Sequence, residues 1–283
     1  MTILVTGAEG RLGSTLAAVL GAGHRVAPRG RGALDITRPA EVAAALRSAA
    51  PDVIVNCAAY NDVDGAEDDP LAAFEVNAFA VRTLARAARE AGATLVHYGT
   101  DFVFDGRSAA PYTEEDAPNP QSVYAMSKLV GEWFARDAKA YVLRVASLFG
   151  GGRPGVRASS LDRMADAILA GREVQAFADR TVSPSYVPDV AAATAALLAA
   201  APPPGIYHCV GSGRGTWLEV ATELARRLDR DARIVPVAAA DRPQRARRPT
   251  FSALANARLA RAGIEMPHWT DALGRYAAER ATG

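Results

Sequence analysis

The run TILVT (2–6) passes directly into TGAEGRLG (6–13), and that into RLGSTLAAVLGAG (11–23), where apolar residues recur every three or four positions. A strand, a glycine turn and a helix in that order define a βα unit, and the first half of the chain repeats the pattern. HRVAP (24–28), DVIVNCAA (52–59), TLVHYGT (94–100) and AYVLRVA (140–146) are β-branched or apolar runs of strand length. Helix-forming segments separate them near 39–50, 71–91 and 124–138. Such alternation requires a parallel sheet whose crossovers are helices, because strands covered on both faces read as nearly continuous apolar runs.

The pattern loosens after Phe149. GGGRPG (150–155) reads as a loop, followed by helices at LDRMADAILAG (161–171), DVAAATAALLAA (189–200), TWLEVATELARRL (216–228) and HWTDALGRYAAER (268–280). Between them lie short apolar pieces, IYHCV (206–210) and RIVPV (233–237), and PPP (202–204) reads as a stiff connection. The expected fold is α/β: a Rossmann-type doubly wound parallel sheet with a smaller α/β C-terminal substrate-binding lobe. The dinucleotide-binding domain is placed at 1–150 with about 186–202, and the substrate-binding lobe at 151–185 and 203–283.

Composition excludes several function classes. The 283 residues carry 32 Lys and Arg against 31 Asp and Glu, a net charge of +1, so no bulk field draws the chain to nucleic acid or an anionic membrane. RPQRARRP (242–249) is a local basic loop that suits a phosphorylated small molecule better than DNA. The two cysteines, Cys57 and Cys209, lie in apolar runs without metal-ligand spacing, so no metal is expected. No apolar stretch approaches the roughly 18 residues of a membrane span, and MTILVTGAEG lacks the basic start of a signal peptide. The expectation is a cytoplasmic protein.

Within the glycine turn, Gly7 permits the tight bend, Gly10 lets main chain approach a pyrophosphate, and Gly13 lets helix and strand pack closely. Three glycines alone also describe an ordinary turn; the strand before them and the helix after them favour phosphate binding. The helix N-terminus offers free N–H groups, with Arg11 and Leu12 in its first turn. In NAD-preferring sites a carboxylate about 20 residues beyond the glycines takes the ribose 2′-hydroxyl. Here Arg29 and Arg31 occupy that region and the first carboxylate, Asp35, comes later. Guanidinium groups suit a 2′-phosphate, so NADP(H) is the expected cofactor with NAD(H) the alternative; the competing reading is two solvated loop arginines.

YAMSK (124–128) sets Tyr124 and Lys128 four apart, one turn along a single helix face. A phenol with an ordinary pKa near 10 becomes useful at neutral pH when an ammonium beside it stabilises the phenolate. That spacing is common by accident. Its company is not: YGTDFVFDG (98–106) ends a strand with Thr100, placed to hydrogen-bond a reacting carbonyl.

Together with LDITRP, PDVIVNCAAYNDVDGAE, NAFA, PYTEEDAPNPQSVYAMSKLVGE, IYHCVGSGRGTW and RRPTFSALAN, these motifs resemble the extended short-chain dehydrogenase/reductases. Within that group the closest resemblance is to the dTDP-4-dehydrorhamnose reductase family, over nearly the whole chain. The resemblance implies an NADPH-dependent oxidoreductase that reduces the C4 keto group of a dTDP-4-keto-6-deoxyhexose. It implies Thr100, Tyr124 and Lys128 as the catalytic residues, Tyr124 giving its proton to the keto oxygen and Lys128 also binding the nicotinamide ribose. Asp35 and Ile36 would lie near the adenine, and Ala58, Ala59 and Tyr60 would line the cofactor. Val63, Asp101 and Phe102 would face the sugar nucleotide, and Arg248 its diphosphate. The implied partner is the sugar-nucleotide substrate, with no nucleic acid and no membrane, in a monomer or homodimer.

The chain departs from the family pattern at the sugar pocket. GTDFVF stands where the family has STDYVF, so Gly99 and Phe102 replace two hydroxyl-bearing side chains, and RVAS (144–147) puts Ser147 where an aromatic would flank the sugar. The reaction type is untouched and the identity of the carbonyl is opened. Two alternatives follow: a reductase of another keto-sugar or small carbonyl compound, and a non-catalytic NADP-binding regulatory subunit of the kind some members of the wider family are.

Overall fold

A computed structural model of the chain describes residues 1–282. Its centre is a six-stranded, wholly parallel sheet of β1 (Thr2–Thr6), β2 (Arg25–Arg29), β3 (Val53–Asn56), β4 (Thr94–Thr100), β5 (Ala140–Val145) and β6 (Gly205–His208). The spatial order is β6-β5-β4-β3-β1-β2. Chain order reverses at β1, whose neighbours are β2 on one side and β3 on the other. Open sheets of this kind receive ligands in the crevice beyond the strand ends at such a reversal.

Helices cover both faces. On one, α1 (Arg11–Gly21) and a helix at Val187–Ala200 bury Leu12, Leu16, Val187, Val190 and Leu197 against Ile3, Val5 and Val55. On the other, α2 (Pro39–Ala49), α3 (Ala80–Ala91) and α4 (Val123–Ala135) pack Val42, Leu84 and Ala135 against Leu4, Ile54 and Leu95. A separate core forms the smaller lobe. Its helices, Ser160–Leu169, Trp217–Arg227 and Trp269–Thr282, enclose a parallel pair of short strands, Val174–Phe177 and Ile234–Val237. Two capping boxes, Ser159 with Asp162 and Thr216 with Glu219, start the first two of those helices.

Two features differ from expectation. Gly205–His208, expected in the smaller lobe, instead form β6, which pairs along β5 and completes the large sheet. Leu259, Ile264 and Met266, further along the chain, also return to the large core. The segment 71–91, expected as one regular helix, contains a π-helical turn at Glu75–Phe79 between Pro70–Phe74 and α3. The extra residue in that turn goes with a tertiary demand: Asn77 accepts from the Tyr60 amide at 2.9 Å and donates to the Tyr60 carbonyl and the Ser127 hydroxyl, each at 3.0 Å.

Candidate active site

Gly7 sits at φ +61°, and a methyl group there would lie 2.6 Å from the Ala58 nitrogen, inside main chain that cannot yield. β1 and β3 therefore meet through bare backbone at the reversal, and Ala58, Ala59 and Tyr60 leave β3 beside the glycine turn. The first turn of α1 has no side-chain cap and no acidic residue, so its N–H groups are not taken by a side chain of their own turn. A glycine turn with uncapped donors at a strand reversal is the cradle a dinucleotide pyrophosphate requires. Leu12 is buried in the core, so only its main chain can face a phosphate.

Arg11 does not stand free beside that cradle. Its guanidinium donates to the Gly150 carbonyl at 2.7 Å, the Arg157 carbonyl at 3.0 Å and the Asp162 carboxylate at 2.6 Å. The charge expected to face phosphate is thus matched by Asp162. Asp162 in turn accepts from the Tyr276 hydroxyl at 2.6 Å. Arg29 ends β2 next to the turn, where the Ala8 amide donates to its carbonyl at 3.1 Å, and its side chain donates to the Pro28 carbonyl at 3.1 Å. Asp35 is used locally: hydrogen bonds from the Thr37 hydroxyl and amide hold its carboxyl below the usual range. Ile36 packs in the core with Leu34 and Val42, its side chain buried.

Thr100, Tyr124 and Lys128 meet at the C-terminal end of β4, three strands from the β2 edge. Ser122 caps α4 by accepting from the Ala125 amide, which fixes the register of Tyr124 and Lys128 on the face toward β4. Lys128 Nζ donates to the Tyr98 carbonyl at 2.6 Å. Burial pulls its ammonium down to about 8, against the opposing pull of the Glu132 carboxylate. Tyr124 is buried among Tyr60, Val63, Phe102 and Val123, with the Phe102 ring edge-on at 6.1 Å. The sequence leads one to expect its phenol shifted down by Lys128. It is shifted up instead, because burial outweighs the opposing influence of the Thr100 hydroxyl and the neighbouring Asp101 adds to the rise. The Lys128 ammonium is meanwhile committed to Tyr98.

Asp101 is buried, accepts from the Thr100 hydroxyl at 3.2 Å, and has the Ser252 side chain close enough to oppose the rise in its pKa. Burial raises its carboxyl to about 6. Ser147 closes β5 in a left-handed conformation, φ +45°, half-buried where the strand turns toward the smaller lobe. Arg248 approaches from the C-terminal arm but is held by a two-fold ion pair to Asp64, at 2.9 and 2.8 Å, beside Val63. Its guanidinium is the main reason the Asp64 carboxyl falls to about 2.

Beneath the three catalytic candidates lies a polar layer that sequence reasoning left unassigned. Asn56 Oδ1 accepts from the Thr6 hydroxyl at 2.6 Å and from the Ala58 amide at 3.2 Å, and its amide group meets the His97 ring at 3.2 Å. His97 packs under the strand end and is kept neutral by burial and by Lys128. Arg144 and Glu132 form a fully buried pair at 2.8 Å. Gly131 lets α4 close on the π-turn, since a methyl group there would lie 2.0 Å from the Asn77 carbonyl. NAFA and KLVGE were visible as motifs, but only tertiary contacts give Asn77, Gly131 and Glu132 their purpose.

A doubly wound sheet with an uncapped glycine cradle after β1 and a Thr–Tyr–Lys group at the end of β4, two strands away, defines an oxidoreductase of the short-chain dehydrogenase/reductase type. The family described as RmlD substrate binding domain matches residues 1–282, and the chain belongs to that family. It is 39% identical to a dTDP-4-dehydrorhamnose reductase of Streptomyces griseus, over 95% of this chain and 91% of that one. It is 38% identical to a probable dTDP-4,6-dihydroxy-2-methyloxan-3-one 4-ketoreductase of Streptomyces antibioticus, over 96% and 93% of the two chains. Among solved structures, a dTDP-4-dehydrorhamnose reductase of Bacillus anthracis in complex with NADP superposes with a TM-score of 0.93 at 30% identity, covering 98% of this chain and 99% of that one. Among the described residues no helix is long and apolar enough to cross a membrane.

Proposed function

We propose that this chain reduces the C4 keto group of a dTDP-4-keto-6-deoxyhexose at the expense of NADPH, in the manner of dTDP-4-dehydrorhamnose reductases. The observation that carries this reading is the convergence of Thr100, Tyr124 and Lys128 at the end of β4, on the sheet whose glycine cradle lies two strands away at the β1 reversal. The larger unit holds the cofactor, and the smaller lobe with the arm bearing Arg248 closes over the sugar nucleotide. NADPH, when bound, supplies the hydride.

Tyr124 supplies the proton. Burial keeps its phenol neutral, the form a reduction consumes, and the site then favours loss of that proton only when negative charge develops on the keto oxygen beside it. The Thr100 hydroxyl shares that oxygen and stabilises the charge. Lys128, freed from the Tyr98 carbonyl or sharing it with a ribose hydroxyl, brings a cation toward the phenolate left behind. Asp101, buried beside Thr100, takes a sugar hydroxyl. Phe102 and Val63 exclude water around the phenol. Arg29 holds the 2′-phosphate that distinguishes NADPH from NADH.

Loss of nicotinamide absorbance on mixing protein, NADPH and dTDP-4-dehydrorhamnose tests the reading. Tyr124→Phe should lower turnover about 100- to 10,000-fold. Cofactor binding without oxidation by any keto-sugar nucleotide would contradict catalysis altogether. A second reading, the same reduction on a differently substituted dTDP-keto-hexose, is supported by Ser147 and Phe102, which put a small side chain and an apolar ring at the pocket wall. Comparing kcat/KM over several dTDP-4-keto-sugars separates the two.

A further inference from the structure

The cradle for the pyrophosphate has lost the cation that the sequence places beside it, because Arg11 is spent on Gly150, Arg157 and Asp162. The loop that takes Arg11 returns a different one. Gly150 and Gly151 both adopt positive φ, +73° and +61°, and turn the chain back against α1, where a methyl group on Gly151 would lie 2.8 Å from the Thr15 hydroxyl. Gly152 continues across the Arg11 guanidinium. Arg153 then reaches over to the glycine turn, and its Nη2 donates to the Ala8 carbonyl at 3.3 Å. Among the described residues no carboxylate pairs with Arg153. A long, weak bond to a neutral carbonyl is what a guanidinium readily gives up for a phosphate oxygen, which binds it with charge assistance.

We propose that Arg153 is a ligand of the cofactor's pyrophosphate, exchanging the Ala8 carbonyl for phosphate oxygens when a dinucleotide binds. The proposal rests on the NADP(H) reading above and adds a residue from outside the glycine turn. The pyrophosphate is common to NADPH and NADH, whereas the 2′-phosphate is not, and that difference supplies the test.

Dissociation constants for NADPH and NADH are to be measured by titration of nicotinamide fluorescence on the wild-type protein, Arg153→Ala, Arg153→Lys and Arg29→Ala, with Tm followed for each. Arg153→Ala should weaken both dinucleotides by the same factor, about tenfold, with Tm unchanged, since the side chain is exposed. Arg153→Lys should recover part of the loss. Arg29→Ala should weaken NADPH alone. Unchanged constants in Arg153→Ala, or a loss confined to NADPH, would overturn the proposal. If the wild-type protein bound neither dinucleotide, the NADP(H) reading would fall and this proposal with it, and the two failures are told apart by that control.

Discussion

The floor of the site and its rim are built by opposite means. The floor is made of strand ends and a capped helix, and its charges are sealed: Arg144 and Glu132 are 1% and 0% exposed, and Lys128 is bonded to a strand carbonyl. The rim is made of loops and arms tied down by ion pairs open to water, Arg248 with Asp64, at 16% and 41% exposure, and Arg245 with Asp68, still more exposed. A sealed pair contributes little net stability when intact, yet removing one partner strands a charge where water cannot reach it. An open pair can be broken cheaply. The groups proposed for proton transfer thus stand on parts that cannot move without unfolding, while the rim proposed to receive a sugar nucleotide is made of parts that can.

Glu132→Gln is the most severe way to probe this contrast. It should cost about 3–5 kcal/mol by leaving Arg144 buried without a counter-charge, read as a large fall in Tm or in the denaturant midpoint. Replacing both partners with apolar residues of similar size should restore most of that loss. Recovery absent in the double variant would mean the pair has a value beyond mutual neutralisation.

His208 probes the floor by pH. Burial drives its ring down to about 3, assisted by the Arg144 charge, while the unfolded chain titrates it near 6.5. Between those values the unfolded state holds more protons, so the stability from keeping the ring neutral is complete above about pH 6.5 and is lost as pH falls toward 3. The slope from this group is at most about 1.4 kcal/mol per pH unit. Asp101, raised to about 6, acts in the opposite sense over part of the same range, so the measurement is the difference between wild type and His208→Leu. Parallel stability curves from pH 4 to about 6.5 would contradict the assignment.

Gly131→Ala attacks the contact between α4 and the π-turn. The added methyl has no room against the Asn77 carbonyl, so a loss of about 1–3 kcal/mol is expected, with kcat falling because Lys128 is on the same helix. At the rim, Asp64→Asn should change stability by less than about 1 kcal/mol. Its effect belongs in the KM for the sugar nucleotide, with the constants for NADPH unmoved.

The same contrast explains what could be read in the sequence. Strand and helix positions, the glycine turn and the Tyr124–Lys128 spacing are local patterns set by periods of two and 3.6 residues, and they are legible because the floor is built from regular elements. The π-turn is not local: it depends on Asn77 finding Tyr60 and Ser127, 17 and 50 residues away. Nor does periodicity say which neighbour an apolar run will pair with, so β6 was legible as an apolar piece while its place on the edge of β5 was not. Arg11 shows the limit most plainly. Its position beside the glycines promises a phosphate contact, and only the fold reveals a carboxylate 151 residues on that claims it first.

That claim has a consequence for how such chains can be recombined. Besides closing its own helix's capping box with Ser159, Asp162 joins the guanidinium at the start of α1 to the Tyr276 hydroxyl in the last helix of the smaller lobe. A chimera joining the first 150 residues to the smaller lobe of a homologue without this carboxylate would leave Arg11 against two carbonyls and no anion, 12% exposed. The two halves are therefore coupled through this pair, and a graft of a new smaller lobe onto this scaffold has to carry Arg11 and Asp162 together.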